Sequence, residues 1–131
     1  MSRPILLIPG GGPVVLHGEI IRPGAAPLKV DLWRHVRYPP PELLHVTTIR
    51  AVEDRGPRFS AGDADGLIGK VVTWVWDCSA LPPSEEGWQV RVDVQQAGQS
   101  TPGYPAEYDG PLPRRRPLSQ LRIAEPVRAL R

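Results

Sequence analysis

Few residues in this 131-residue chain could do chemistry, and their spacing matches no catalytic or metal-binding motif. The histidines are His17, His35 and His45, and Cys78 is the only cysteine. A closed zinc site draws three or four such ligands from tightly spaced pairs. These four residues stand apart, so no metal and no cofactor is expected. Cys78 ends an apolar run, the setting of a small buried hydrophobe. Serine catalysis needs a base and an orienting acid beside the nucleophile. Ser60 lies near Asp63 and Ser84 beside Glu85-Glu86, but neither stands in a GxSxG elbow, so no catalytic residue is assigned.

Two glycine-rich stretches, Gly10-Gly11-Gly12 and Gly66-Leu67-Ile68-Gly69-Lys70, lack the GxxxxGK[ST] spacing and the strand-loop-helix setting that cradle phosphate. Asp63-Ala64-Asp65-Gly66 opens in the manner of a calcium loop. Position twelve, where a bidentate Glu is required, is Trp74, so the stretch reads as a solvated turn built from Asp and Gly for their backbone preferences.

What remains are recognition residues. Four tryptophans are many for so short a chain. Trp74, Trp76 and Trp88 have core-compatible phases, whereas Trp33 shares a face with Lys29, Asp31 and His35 and is expected to anchor a partner or a sugar ring. The segment from Gly98 to Pro117 is expected to be a contact surface carried by Tyr104, Tyr108, Arg114, Arg115 and Arg116. Its prolines lower the entropy lost on ordering, and tyrosine and arginine are enriched at interfaces. The competing role for this segment is a loop that covers a sheet edge.

The elements that must position these residues are strands. Alternating apolar and polar residues mark Val14 to Arg22, Leu28 to Val36, Trp88 to Gln96 and Leu118 to Ala124, and the apolar run Ile5 to Ile8 reads as a short first strand. Gly18, on the apolar face of the second run, signals a bulge or close packing. Leu43 to Val52 is a less cleanly patterned strand, with a short helix as the competing reading. Lys70 to Cys78 is apolar on both faces and is expected at a sheet centre, covered on both sides or by a partner. It is expected to pair antiparallel with Trp88 to Gln96 across the intervening loop. Residues 53–69 and 97–117 read as long loops and 125–131 as a tail.

The whole predicts one all-β domain over residues 1–131, an antiparallel sandwich of the immunoglobulin or transthyretin type or a small barrel, with about seven short strands. The 17 Pro and 13 Gly cluster between the strands as punctuation. A net charge of +2 gives no electrostatic footprint for nucleic acid, which is not expected as a partner. The apolar start, Ile5 to Ile8, is shorter than a signal-peptide core, and no run approaches a membrane span. One cysteine permits no intrachain disulfide, which fits a protein that is cytoplasmic or assembled in the cytoplasm into a particle. The leading expectation is a non-enzymatic structural or interaction module whose partners are other protein subunits, as in a phage-like particle or secretion apparatus. The alternatives are a carbohydrate-binding sandwich, which needs an exposed aromatic platform, and a small hydrolase, which needs a His and a carboxylate in contact in a deep pocket.

Overall fold

Among the described residues, period-two alternation resolves into ten strands and one helical turn. The computed structural model describes residues 3–36, 42–50, 57–81, 86–112 and 119–130, with backbone only at 35, 36 and 42. In chain order the elements are β1 (Ile5–Leu7), β2 (Pro13–Arg22), β3 (Leu28–Val36), β4 (Glu42–Ile49), β5 (Arg58–Asp63), α1 (Ala64–Leu67), β6 (Lys70–Asp77), β7 (Trp88–Gln96), β8 (Gln99–Ser100), β9 (Ala106–Gly110) and β10 (Gln120–Ala129). One sheet has the order β1-β10-β6-β3-β4; the other has β5-β2-β7-β8, with β9 also paired to β7. Among the described strands every pairing is antiparallel except β1 with β10. Among the described strands neither sheet closes into a barrel, and the two sheets share one core between them, as in a sandwich.

The alternating residues supply the interior. Val14, Leu16 and Ile20 of β2, Phe59 of β5 and Val90, Val92 and Val94 of β7 point inward from one sheet, against Val30 and Leu32 of β3, Val72, Trp74 and Trp76 of β6 and Leu121 and Ile123 of β10. Gly18 is a point of close approach between the sheets. A Cβ there would lie 2.6 Å from Leu28 Cδ2, 3.1 Å from Trp74 Cδ1 and 3.2 Å from Trp76 Cζ2. The glycine on the apolar face of β2 therefore marks close packing. Cys78 is buried, and burial, with Asp77 beside it, pushes its thiol up from the ordinary value, as befits a packing residue.

β6 occupies the centre of its sheet, between β10 and β3, and its side chains from Val71 to Trp76 are buried on both faces. The expected pairing of β6 with β7 is not observed: β7 lies in the opposite sheet, between β2 and β9. Sheets in a sandwich are about 10 Å apart, a gap that the ten or so residues between the two strands cross with ease. A connection long enough to cross leaves each strand free to pair with whichever neighbour covers its faces best.

Three further corrections concern segments read as loop or tail. Residues 58–63 form β5, which buries only Phe59 well, with Ala61 partly buried in the same phase; two apolar residues in six, one of them small, give too weak an alternation to read. Residues 99–100 and 106–110 form β8 and β9, with Tyr104, Ala106 and Tyr108 turned toward the core in alternation with Pro105, Glu107 and Asp109. The supposed tail belongs to β10, which continues to Ala129 and buries Glu125 and Val127. Pro126 stands where β10 leaves β6 and begins its parallel pairing with β1, a hand-over at which a missing amide hydrogen is tolerated.

Candidate interaction surface

The outer face of the first sheet is built by the residues that alternate with the core set. On β3 these are Lys29, Asp31 and Trp33, and the register sets them beside Val75, Thr73 and Val71 of β6. On the other side Asp31 faces Thr48 and Trp33 faces His45 of β4, with a register shift that leaves Val46 as an extra residue in β4.

Asp31 is the centre of this face. Its side chain is only 4% exposed, yet it lies on the outside of the sandwich. The Thr48 hydroxyl donates to Asp31 Oδ1 at 2.7 Å, His45 Nε2 lies 3.3 Å from the same oxygen, and Lys29 Nζ is 3.6 Å from Oδ2. Burial pushes the carboxyl up, but the hydrogen bonds from Thr48 and His45 and the charge of Lys29 outweigh it and hold Asp31 below its ordinary value. Trp33 packs edge-on against the His45 ring, with centroids 5.1 Å apart and planes at 72°.

The geometry decides what this cluster can do. In a nucleophilic relay the acid holds one imidazole nitrogen and the hydroxyl approaches the other. Here a single nitrogen, Nε2 of His45, faces both Asp31 and Thr48, at 3.3 Å each, and the Thr48 hydroxyl donates its hydrogen bond to Asp31. The group is a cross-strand clamp that fastens β4 to β3.

β4 itself is the other notable feature. It lies at the edge among the described strands, and Leu43, Leu44 and Val46 are 45%, 42% and 44% exposed. From 43 to 49 its sequence, LLHVTTI, contains no Asp, Glu, Lys or Arg. A surface depression of about 370 Å³ beside it is lined by Arg34, Leu44, His45, Val46 and Lys70. The other edges carry the guards that keep strands from pairing with foreign chains. β1 has three residues between Pro4 and Pro9; β5 carries Arg58, Gly62, Asp63 and a register shift; β8 has two residues, and β9 carries Glu107 and Asp109. Among the described residues, β4 alone combines length, apolar side chains and lack of charge, with the bulge at Val46 as its one irregularity.

The residues expected to carry recognition are not brought together. Trp33 is half-buried on the outer face, as its phase required. Tyr104 is a core residue, 8% exposed, whose hydroxyl donates to the Arg3 carbonyl at 2.7 Å. Tyr108 packs partly against the core, with the Arg3 guanidinium 5.5 Å from its ring centroid. Burial chiefly, then the neighbouring Tyr108 and Glu125 for Tyr104, and Glu125 for Tyr108, push both phenols up from their usual value. The role of Tyr104 as a surface anchor is thereby corrected: the ring alternates inward with Ala106, and its body fills the core. Trp33 and the tyrosines lie on different parts of the sandwich and form no common aromatic platform. Arg114, Arg115 and Arg116 fall outside the described residues.

The first glycine stretch meets the Asp63–Gly66 turn. Gly10 N donates to Asp65 Oδ1 at 3.0 Å and Ala64 N to the Gly12 carbonyl at 3.2 Å, so a carboxylate already occupies an amide that a phosphate would need. Among the described residues no group of three or more His, Cys, Asp or Glu gathers in a way that could hold a metal ion. No helix among them is long and apolar enough to cross a membrane.

The functional candidates that sequence reasoning passed over are Asp31, His45 and Thr48, and the exposed Leu43, Leu44 and Val46. The last three had a signal, an apolar run without charge, but position at an edge is a property of strand order.

No family model matches this chain, and no curated protein or solved structure matches it.

Proposed function

We propose that the protein is a non-enzymatic structural or interaction module of a larger protein assembly, and that it docks by strand addition along β4. The observation that carries this reading is the contrast between β4 and the other described edges. Strand addition takes its affinity from main-chain hydrogen bonds along an open edge and its selectivity from side chains beside that edge. β4 offers eight residues of edge with three exposed apolar side chains, and the Asp31 clamp keeps it seated on its sheet. Membership of a phage-like particle or secretion apparatus, assembled in the cytoplasm, is part of the same proposal and is decided by the identity of the partners.

The test compares proteins recovered with three tagged forms from the native cells: wild type, Leu44→Lys/Val46→Lys, and Ser60→Lys on the exposed edge of β5. Lysines on an edge oppose strand addition. Partners kept by wild type and Ser60→Lys and lost by the β4 variant, with circular dichroism unchanged, support the reading. The same partners with all three forms overturn it.

A further inference from the structure

We propose that the strand added to β4 belongs to a partner protein and carries an aspartate or glutamate, which seats beside a pair of cations, Arg34 and Lys70. This rests on the strand-addition reading and gives the chemistry of the partner segment.

The register sets one row across three strands. Arg34 of β3 stands opposite Lys70 of β6 on one side and opposite Leu44 of β4 on the other. Residues directly opposite in an antiparallel pair share a face, and like charges placed so are destabilising. A surface depression of about 370 Å³ is lined by these three side chains together with His45 and Val46. Elsewhere Lys29 is set beside Asp31, and Arg91 beside Glu107. Among the described residues neither Arg34 nor Lys70 enters an ion pair. Lys70 Nζ donates to the Gly66 carbonyl at 2.8 Å, a neutral acceptor. Two cations in one row, without a carboxylate, thus stand beside the edge that is open to a partner.

A strand added along β4 supplies the next residue of this row. From His45 back to residue 42 the pairing of β4 with β3 is regular, the register shift lying beyond it at Val46, so the residue opposite Leu44 shares the face of Arg34. Strands lie about 4.8 Å apart, which puts that residue roughly 10 Å from Arg34. An arginine stem and an acidic side chain together span such a gap across the top of Leu44, and a guanidinium takes a carboxylate with two parallel hydrogen bonds. Leu44 is the third residue of an eight-residue edge, so a strand that covers the edge runs past it in both directions and brings a side-chain carboxylate, not a chain end. The β4 run of a second copy does not meet the requirement, because LLHVTTI, residues 43–49, contains no Asp or Glu. A solvated ion pair adds little affinity, but a cationic row repels the wrong sign and so selects the partner.

The probe is a yeast-displayed library of random peptides of about ten residues, the length of a long strand, sorted for binding to the full chain. Three forms are compared: wild type, Leu44→Glu/Val46→Glu, which puts charge on the edge, and Arg34→Glu/Lys70→Glu, which reverses the row, with circular dichroism as the check on folding. The wild type is expected to enrich peptides in which apolar residues accompany an Asp or Glu at one position. Replacing that acid by Lys should weaken binding about fivefold, the equivalent of about 1 kcal/mol. The edge variant should lose these peptides, and the reversed form should prefer the Lys version. Arg34→Gln, a milder change, should shrink the preference for acid. Peptides lost by the edge variant but enriched without a preference for acid, or with that preference unchanged in the reversed form and in Arg34→Gln, overturn the acidic partner and leave strand addition standing. Peptides held equally by the edge variant, or no enrichment on the wild type, overturn strand addition and this proposal with it.

Discussion

The clamp between β3 and β4 can be weighed by removing Asp31. Its carboxylate is almost fully covered and accepts the Thr48 hydroxyl at 2.7 Å. A hydrogen bond to a charged group contributes about 1.5–3 kcal/mol. Thr48 is exposed, so water competes for its hydroxyl and the lower end applies. Lys29 and His45 are 52% and 43% exposed, and ion pairs that open to solvent add less than about 1 kcal/mol each. Relief of the buried carboxylate's desolvation offsets part of the loss. Asp31→Ala is therefore expected to cost about 1–2 kcal/mol near neutral pH. A double-mutant cycle with Thr48→Ala, followed by urea denaturation, should give a coupling of about 1 kcal/mol. The pH dependence follows from the lowered carboxyl: the stabilisation is complete above the ordinary aspartate value of about 3.9 and fades as pH falls through the lower value of the folded state. Costs of Asp31→Ala and Thr48→Ala that add within about 0.3 kcal/mol at neutral pH would refute the clamp.

Four further outcomes test the fold that presents this edge. Gly18→Ala gains about 0.5–1 kcal/mol of strand preference but crowds Leu28, Trp74 and Trp76, at about 1–3 kcal/mol, so the net effect is destabilising; a raised thermal midpoint contradicts the close approach at β2. Tyr104→Ala should cost about 3–5 kcal/mol as a large core truncation, and Tyr104→Phe about 1 kcal/mol for the bond to Arg3, both read by chemical denaturation; an unchanged midpoint for Tyr104→Ala returns the ring to the surface. Because Tyr104 and Tyr108 hold their protons above the usual phenol value of about 10, their contribution is complete below that pH and is lost as pH rises past it; the loss should be smaller in Tyr104→Phe, and an equal loss in both proteins rejects the assignment. Val92→Ala, at a fully buried site on β7, should lower stability by about 2 kcal/mol from lost transfer energy and a cavity, and an unshifted denaturation midpoint would put that face of β7 outside the core.

The amino-acid sequence by itself determined which stretches are strands wherever side chains alternate strongly, and which face of each turns inward. Val14, Leu16 and Ile20, or Val90, Val92 and Val94, can bury themselves only by sharing a face, because the strand period is two. It also determined that Lys70 to Asp77, apolar on both sides, lies inside a sheet. Where the apolar residues are few or small, as Phe59 and Ala61 in β5 or Ala106 in β9, the alternation is too weak to read, and pairing with a strong neighbour supplies the order. Strand order was beyond reach for a different reason. Which strands become neighbours depends on contacts between residues far apart in the chain, and a long connection such as that between β6 and β7 constrains them little. The same is true of the surface. The carboxylate at position 31 becomes a buried clamp only because Thr48 and His45 arrive beside it. Leu43, Leu44 and Val46 become an open edge only because β3 covers one side of β4 and none of the described strands covers the other. Burial and exposure belong to the packed arrangement, so the face that the protein offers to a partner was decided by the tertiary structure.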